Sequence, residues 1–152
     1  MMRNRSIVKL QPGLFLQPFV VSQLVGTVIE DVVDGSGISA SEFAVTSSID
    51  VLGSVTPSEL ARTLGLSPTT LSAMIDRLVR KCEVGRTRHP DDGRSYVLEL
   101  TPQGKATNTR IGRRFGKAIG EVRGHLDGDP DEVLAALRLL EDALRATIAA
   151  GP

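Results

Sequence analysis

Two helix starts eleven residues apart, with a glycine between them, constrain this chain more than any other feature. Thr56-Pro-Ser-Glu59 is a capping box: the Thr56 hydroxyl can accept from the amide three residues on, while Glu59 reaches back to the Thr56 amide. Pro57 takes the first helical position, where no amide hydrogen is needed, and Val55 and Leu60 form the hydrophobic staple. Gly65 ends this helix, because a residue free to adopt positive φ lets the chain turn sharply. Ser67-Pro68 repeats the cap-plus-proline start, and Leu71, Met74, Ile75, Leu78 and Val79 then recur at helical spacing to about Arg80. Two short helices joined by a brief turn containing glycine predict a helix-turn-helix. In the second helix Thr69, Ala73, Asp76 and Arg80 project opposite the apolar stripe, flanked by Thr70, Ser72 and Arg77. That polar face is free to be read by a partner. An ordinary αα-hairpin inside a core is the competing reading of these helices taken alone.

The next residues favour the first reading. Glu83–Arg88 and Ser95–Leu100 are strand-like, and His89-Pro-Asp-Asp-Gly-Arg94 between them is rich in turn residues, so the pair predicts a β-hairpin with a long tip. A hairpin directly after a helix-turn-helix is a wing. Arg86, Arg88 and Arg94 put cations on it, where a phosphate backbone or a minor groove would lie.

Five segments in order, Ser39-Ala-Ser-Glu-Phe-Ala-Val45, Thr56 to Ser67, Asp76-Arg-Leu78, Pro90-Asp-Asp-Gly-Arg94 and Leu100-Thr-Pro-Gln-Gly104, resemble the MarR family of winged-helix bacterial regulators. The resemblance runs from about Leu14 to Ile148. It implies a mainly α fold with a small β-hairpin wing, in which N- and C-terminal helices form a dimerisation platform. It also implies a homodimer that binds a pseudo-palindromic double-stranded operator and is often released by a small-molecule effector. On this scheme residues 1–152 are one domain, with a DNA-binding lobe over about 38–100 and dimerisation helices over about 12–34 and 102–150.

Composition sets the bounds. A chain of 152 residues is one domain by length. With aromatics at only 3 %, its core must be built from Leu, Val, Ile and Ala. One cysteine excludes an internal disulfide framework and suits a reducing cytoplasm, and no signal segment is visible. The formal net charge is zero, yet residues 57–117 hold 12 Lys/Arg against 6 Asp/Glu, with the reverse ratio elsewhere. A basic middle between acidic ends is the footprint of a local nucleic-acid surface. His89, His125 and Cys82 are scattered, and no zinc spacing, phosphate loop or nucleophile motif occurs. No enzyme, metal or cofactor is expected.

The flanks carry further expectations. Arg3, Arg5 and Lys9 read as a basic, solvated arm. Leu14–Val33 reads as an apolar helix started or kinked by Pro18; Gln17, Pro18 and Gln23 interrupt it too often for a membrane span, and a partner subunit is its natural cover. After the loop Asp34-Gly-Ser-Gly37, Ile38 staples, Ser39 caps and Glu42 closes a second capping box for a helix to about Leu52. Thr46, Ser47 and Ser48 are either core groups bonded to backbone carbonyls or the polar patch of an effector pocket. Beyond the wing, Thr101-Pro102 starts a long helix whose Gly112, Gly116, Gly120 and Gly124 recur every four residues. Either another backbone approaches that stripe or it faces solvent. Asp129-Pro-Asp-Glu132 is expected to form a third capping box for a last helix with Val133, Leu137, Leu140, Leu144 and Ile148 at near-heptad spacing.

The expected DNA-binding residues are Ser67, Pro68, Thr69, Thr70, Ser72, Ala73, Asp76 and Arg77 on the recognition helix, with Arg86, Arg88, Asp92 and Arg94 on the wing. The resemblance gives Asp92 a bracing role toward the wing arginine or the recognition helix. Family members commonly carry Arg where Pro68 and Ala73 stand, Gly where Cys82 stands, and an apolar residue at Glu83. Two other readings remain: a thiol redox sensor working through Cys82, and a dimeric interaction protein without operator binding.

Overall fold

A computed structural model describes residues 13–89 and 95–151. The basic arm at Arg3, Arg5 and Lys9, and Asp92 and Arg94 of the wing tip, lie outside the described residues. Six helices and one hairpin follow in chain order: α1 (Gly13–Val33), α2 (Ala40–Leu52), α3 (Pro57–Leu64), α4 (Pro68–Arg80), β1 (Val84–Arg88), β2 (Tyr96–Leu100), α5 (Pro102–His125) and α6 (Pro130–Ala150). The chain forms two compact units, dividing within α5 after Phe115.

In the first unit the core lies where α2, α3, α4 and the hairpin converge. Val45, Ile49, Leu60, Leu71, Ile75, Leu78, Val84, Leu98 and Ile111 are almost wholly buried. The expected stripe of α4 supplies three of these, while Met74 and Val79 are half-buried. Two of the three expected capping boxes form. The Glu59 amide donates to Thr56 Oγ1 at 3.3 Å and the Thr56 amide to Glu59 at 3.0 Å; the Ser39–Glu42 pair is equivalent, at 3.2 and 2.9 Å. Gly65, with φ of 64°, makes the turn between α3 and α4. The strands pair antiparallel, Val84 opposite Leu100 and Arg88 opposite Tyr96. Val55 adds a one-residue bridge to Leu98, with bonds of 3.2 and 2.8 Å, which no sequence pattern announced.

The wing root holds the most constrained backbone. Cys82 has φ of 58°, the one non-glycine residue in the left-handed region among the described residues. This is the position where relatives are expected to carry Gly, and α4 ends against it. The chain then passes directly over α5: a Cβ on Gly104 would sit 2.0 Å from the Glu83 carbonyl oxygen. Thr101 ties the crossing, its amide donating to the Glu83 carbonyl at 3.1 Å and its hydroxyl to the Cys82 carbonyl at 2.6 Å.

One expectation is revised, and the structure bears on two that were left open. Asp129 accepts from the Asp131 amide at 2.9 Å, so the cap of α6 uses a bond inside its first turn in place of a box with Glu132. Gly112, Gly116, Gly120 and Gly124 have nothing within 4 Å of a built Cβ, so among the described residues no backbone approaches the stripe. Thr46 is buried, its hydroxyl 3.1 Å from the Phe43 carbonyl and 2.8 Å from Asn108 Oδ1, which favours the core reading over a polar pocket.

The second unit contains the end of α5 and α6, and α6 has no buried residue. In α1 only Val32 and Val33 are buried, although Phe15, Phe19 and Leu24 are 74, 62 and 62 % exposed. By length and composition α1 is also long and apolar enough to cross a membrane.

Two substitutions test the wing root. Cys82→Gly should raise stability by about 1 kcal/mol, because it removes the left-handed penalty. Gly104→Ala should lower it by about 1–3 kcal/mol through overpacking. Urea unfolding reads both, and a stabilising Gly104→Ala would show that α5 does not meet the Glu83 backbone.

Candidate nucleic-acid interface

The recognition helix is held from behind by a buried acid. Glu42, only 2 % exposed, receives Arg77 Nε at 3.2 Å and Lys81 Nζ at 2.7 Å while also bonding the Ser39 amide. Burial works to raise its carboxyl, but the bonds from Lys81, the Ser39 amide and Arg77 outweigh it and hold the group below its ordinary value of 4.5. The pair of cations therefore locks α4 to the first turn of α2. A buried charge deprived of partners is strongly destabilising, which favours keeping Arg77 on Glu42 through its Nε.

In front of the helix the expected site residues divide into two sets. Ser67 caps α4, accepting from the Thr70 amide at 3.1 Å, and its hydroxyl meets that of Thr70 at 2.8 Å. Asp76 forms an ion pair with Arg86, whose guanidinium also lies 5.3 Å from the centroid of the Tyr96 ring. Recognition helix and wing are thus braced through Asp76 and Arg86; Asp92, to which the resemblance assigns a bracing role, lies outside the described residues. Thr69, Ser72 and Ala73 remain exposed on the outer face of α4, and the Thr69 and Ser72 side chains have no hydrogen-bond partner among the described residues. Pro68 occupies the first helical position. Arg88, at the outer end of β1, is exposed.

Several cations counted toward the basic middle do internal work. Arg114 donates to the carbonyls of Asp34 and Asp31, both at 2.7 Å, satisfying the C-terminal end of α1. Arg110 reaches the Ser36 carbonyl at 3.5 Å. Glu83 is buried too: one carboxylate oxygen accepts from Gln103 and Thr107 at 3.2 Å each, and the other has no partner among the described residues. Sequence reasoning missed Glu42 as an anchor, along with Lys81, Tyr96 and Asn108. For Glu42 the capping-box signal was visible, but its cation partners lie 35 and 39 residues away. Among the described residues no three His, Cys, Asp or Glu side chains gather into a metal-holding group.

The comparisons agree with this geometry. A family model described as "MarR family" matches residues 38–96. The chain is 33 % identical over 126 residues to the multiple antibiotic resistance protein MarR of Escherichia coli, covering 82 % of this chain and 86 % of that protein. It is 33 % identical over 121 residues to the HTH-type transcriptional repressor YetL of Bacillus subtilis, covering 78 % and 72 %. Among solved structures, a mutant E. coli MarR complexed with operator DNA superimposes with a TM-score of 0.74 at 30 % identity, covering 86 % of this chain and 93 % of that one.

Glu42→Gln should lower stability at pH 7 by about 1–3 kcal/mol, as the two cations lose their charged acceptor. Because the folded carboxyl is depressed, its contribution is complete above about pH 4.5 and is lost as pH falls through the lower folded value. The gap between wild type and variant should therefore close on acidification. Urea midpoints measured down to the acid limit of folding check this, and a constant gap would remove Glu42's charge from the account.

Proposed function

Because the chain belongs to the MarR family of transcriptional regulators, we propose that it is a homodimeric repressor holding a pseudo-palindromic operator until a small-molecule effector releases it. The observation that carries this reading is the outer face of α4: a capped helix, braced from behind by Glu42 and from the side by Arg86, that leaves Thr69, Ser72 and Ala73 exposed, with Arg88 exposed on β1. In a helix-turn-helix such a face enters the major groove, and its N-terminal residues meet base edges. Arg88, with Arg94 beyond the described residues, would meet backbone or minor groove. The operator complex of E. coli MarR and the repressor name of YetL support the same direction.

Dimerisation is supported by the apolar surface left open on α1 and α6. Residues of about 12–34 and 102–150 would form the platform, and those of about 38–100 the DNA-binding lobe. A second copy covers α1 better than a lipid bilayer does: Gln17, Pro18, Ser22 and Gln23 interrupt its apolar surface, and Arg114 ties its C-terminal end to α5. Two-fold symmetry would then set two α4 helices one DNA turn apart, about 34–36 Å. A cleft of about 330 Å³ between Pro57, Arg62, Leu66, Ser72 and Tyr96 opens on the DNA-facing side, so an effector seated there would compete with the operator. The protein would act in the cytoplasm, where its target lies.

Two measurements test these points. Arg88→Ala should weaken binding to every duplex alike and reduce the log-log salt slope by about 0.9, the share of one phosphate. A loss confined to one base position, with the slope intact, would make Arg88 a base reader. Phe19→Asp should give monomers by light scattering and lower operator affinity; dimers of unchanged affinity would place the interface elsewhere.

A further inference from the structure

Two charged groups of the recognition helix, Arg77 and Asp76, are held in ion pairs within the protein, and this narrows what chemistry is left for reading bases. Arginine bidentate to guanine is the usual specific contact of the major groove. Here Arg77 is anchored on buried Glu42, and Asp76 is paired with Arg86. Arg80 stands eleven residues after Thr69, about 16 Å along the helix, away from the N-terminal turns that meet base edges. Ser67 and Thr70 are occupied with the cap and with each other, and Pro68 has no amide hydrogen to offer.

What remains is short and uncharged: the Thr69 hydroxyl and methyl, the Ser72 hydroxyl and the Ala73 methyl. We infer that α4 selects its operator by thymine, Thr69 and Ala73 packing against C5-methyl groups while Ser72 bonds a neighbouring base edge, with no guanine-reading arginine. Alanine and threonine methyls are the side-chain groups suited to the thymine methyl, and a serine hydroxyl serves as donor or acceptor to any base. The half-site under α4 is therefore built around A·T pairs whose thymines face the helix, and discrimination at each is modest. This inference rests on the operator-binding reading above and specifies what that site recognises.

The test uses the full chain and duplexes enriched by it from a random pool. In the enriched duplex each thymine is replaced in turn by deoxyuridine, which lacks only the methyl, and each guanine by 7-deazaguanine, which lacks the major-groove N7 acceptor. One or two deoxyuridines per half-site should each weaken binding about four-fold, the value of one buried methyl-sized group. Thr69→Ser, which deletes the matching methyl and keeps the hydroxyl, should bind thymine and uracil equally at one of those positions. Every 7-deazaguanine should change affinity less than two-fold. Deoxyuridine without effect at all positions, or a 7-deazaguanine that costs ten-fold or more, overturns the inference while leaving the regulator reading intact. Failure to enrich any duplex overturns that reading and this inference together.

Discussion

The DNA-facing half of the structure depends on one buried carboxylate. Glu42 begins as a local device, the reciprocal partner of Ser39 in a capping box, and ends as the anchor for Arg77 and Lys81 from the far end of α4. Its burial would be costly alone, and the two cations with the Ser39 amide more than compensate. The consequence is orientational. One end of α4 is set by the Gly65 turn and the Ser67 cap, the other by Glu42, so the outward face of the helix cannot roll.

The wing is fixed by a second junction of different character. It relies on close backbone approach: the Glu83 peptide lies against Gly104, and Thr101 bonds both the Cys82 and Glu83 carbonyls. Cys82 adopts the left-handed conformation at the middle of the three residues that carry the chain from α4 into β1. From there Arg86 returns to Asp76, closing a loop of interactions between helix and wing. A β-branched residue at 82 or any side chain at 104 would disturb the angle at which the hairpin meets α4.

These junctions use up charge that would otherwise face solvent. Arg77, Lys81 and Arg86 hold the lobe together, while Arg110 and Arg114 close the end of α1. The local excess of cations in the middle of the chain thus overstates the charge available to a partner. On the proposed reading, electrostatic attraction would fall to Arg88 and to other exposed cations, and selectivity to the short side chains of α4.

Local chemistry determined much of this in advance. The caps at Ser39, Thr56 and Ser67, the glycine turn, the apolar stripe of α4 and the turn-rich wing tip each act within a few residues, so the winged helix-turn-helix and the order of its elements were legible without coordinates. The face of α4 that lies outward was legible for the same reason, since helical period alone separates Thr69 and Ala73 from Leu71 and Ile75. Other features were settled only by tertiary structure. Which carboxylate pairs with which cation depends on groups 35 and 39 residues apart being brought together, and no spacing rule reaches that far. Among the described residues nothing meets the glycine stripe of α5, because contact depends on what stands opposite a helix and not on its own pattern. So the chain alone specified where a reading face would be, while the fold decided that Arg77 pairs with a buried acid and Asp76 with Arg86 of the wing.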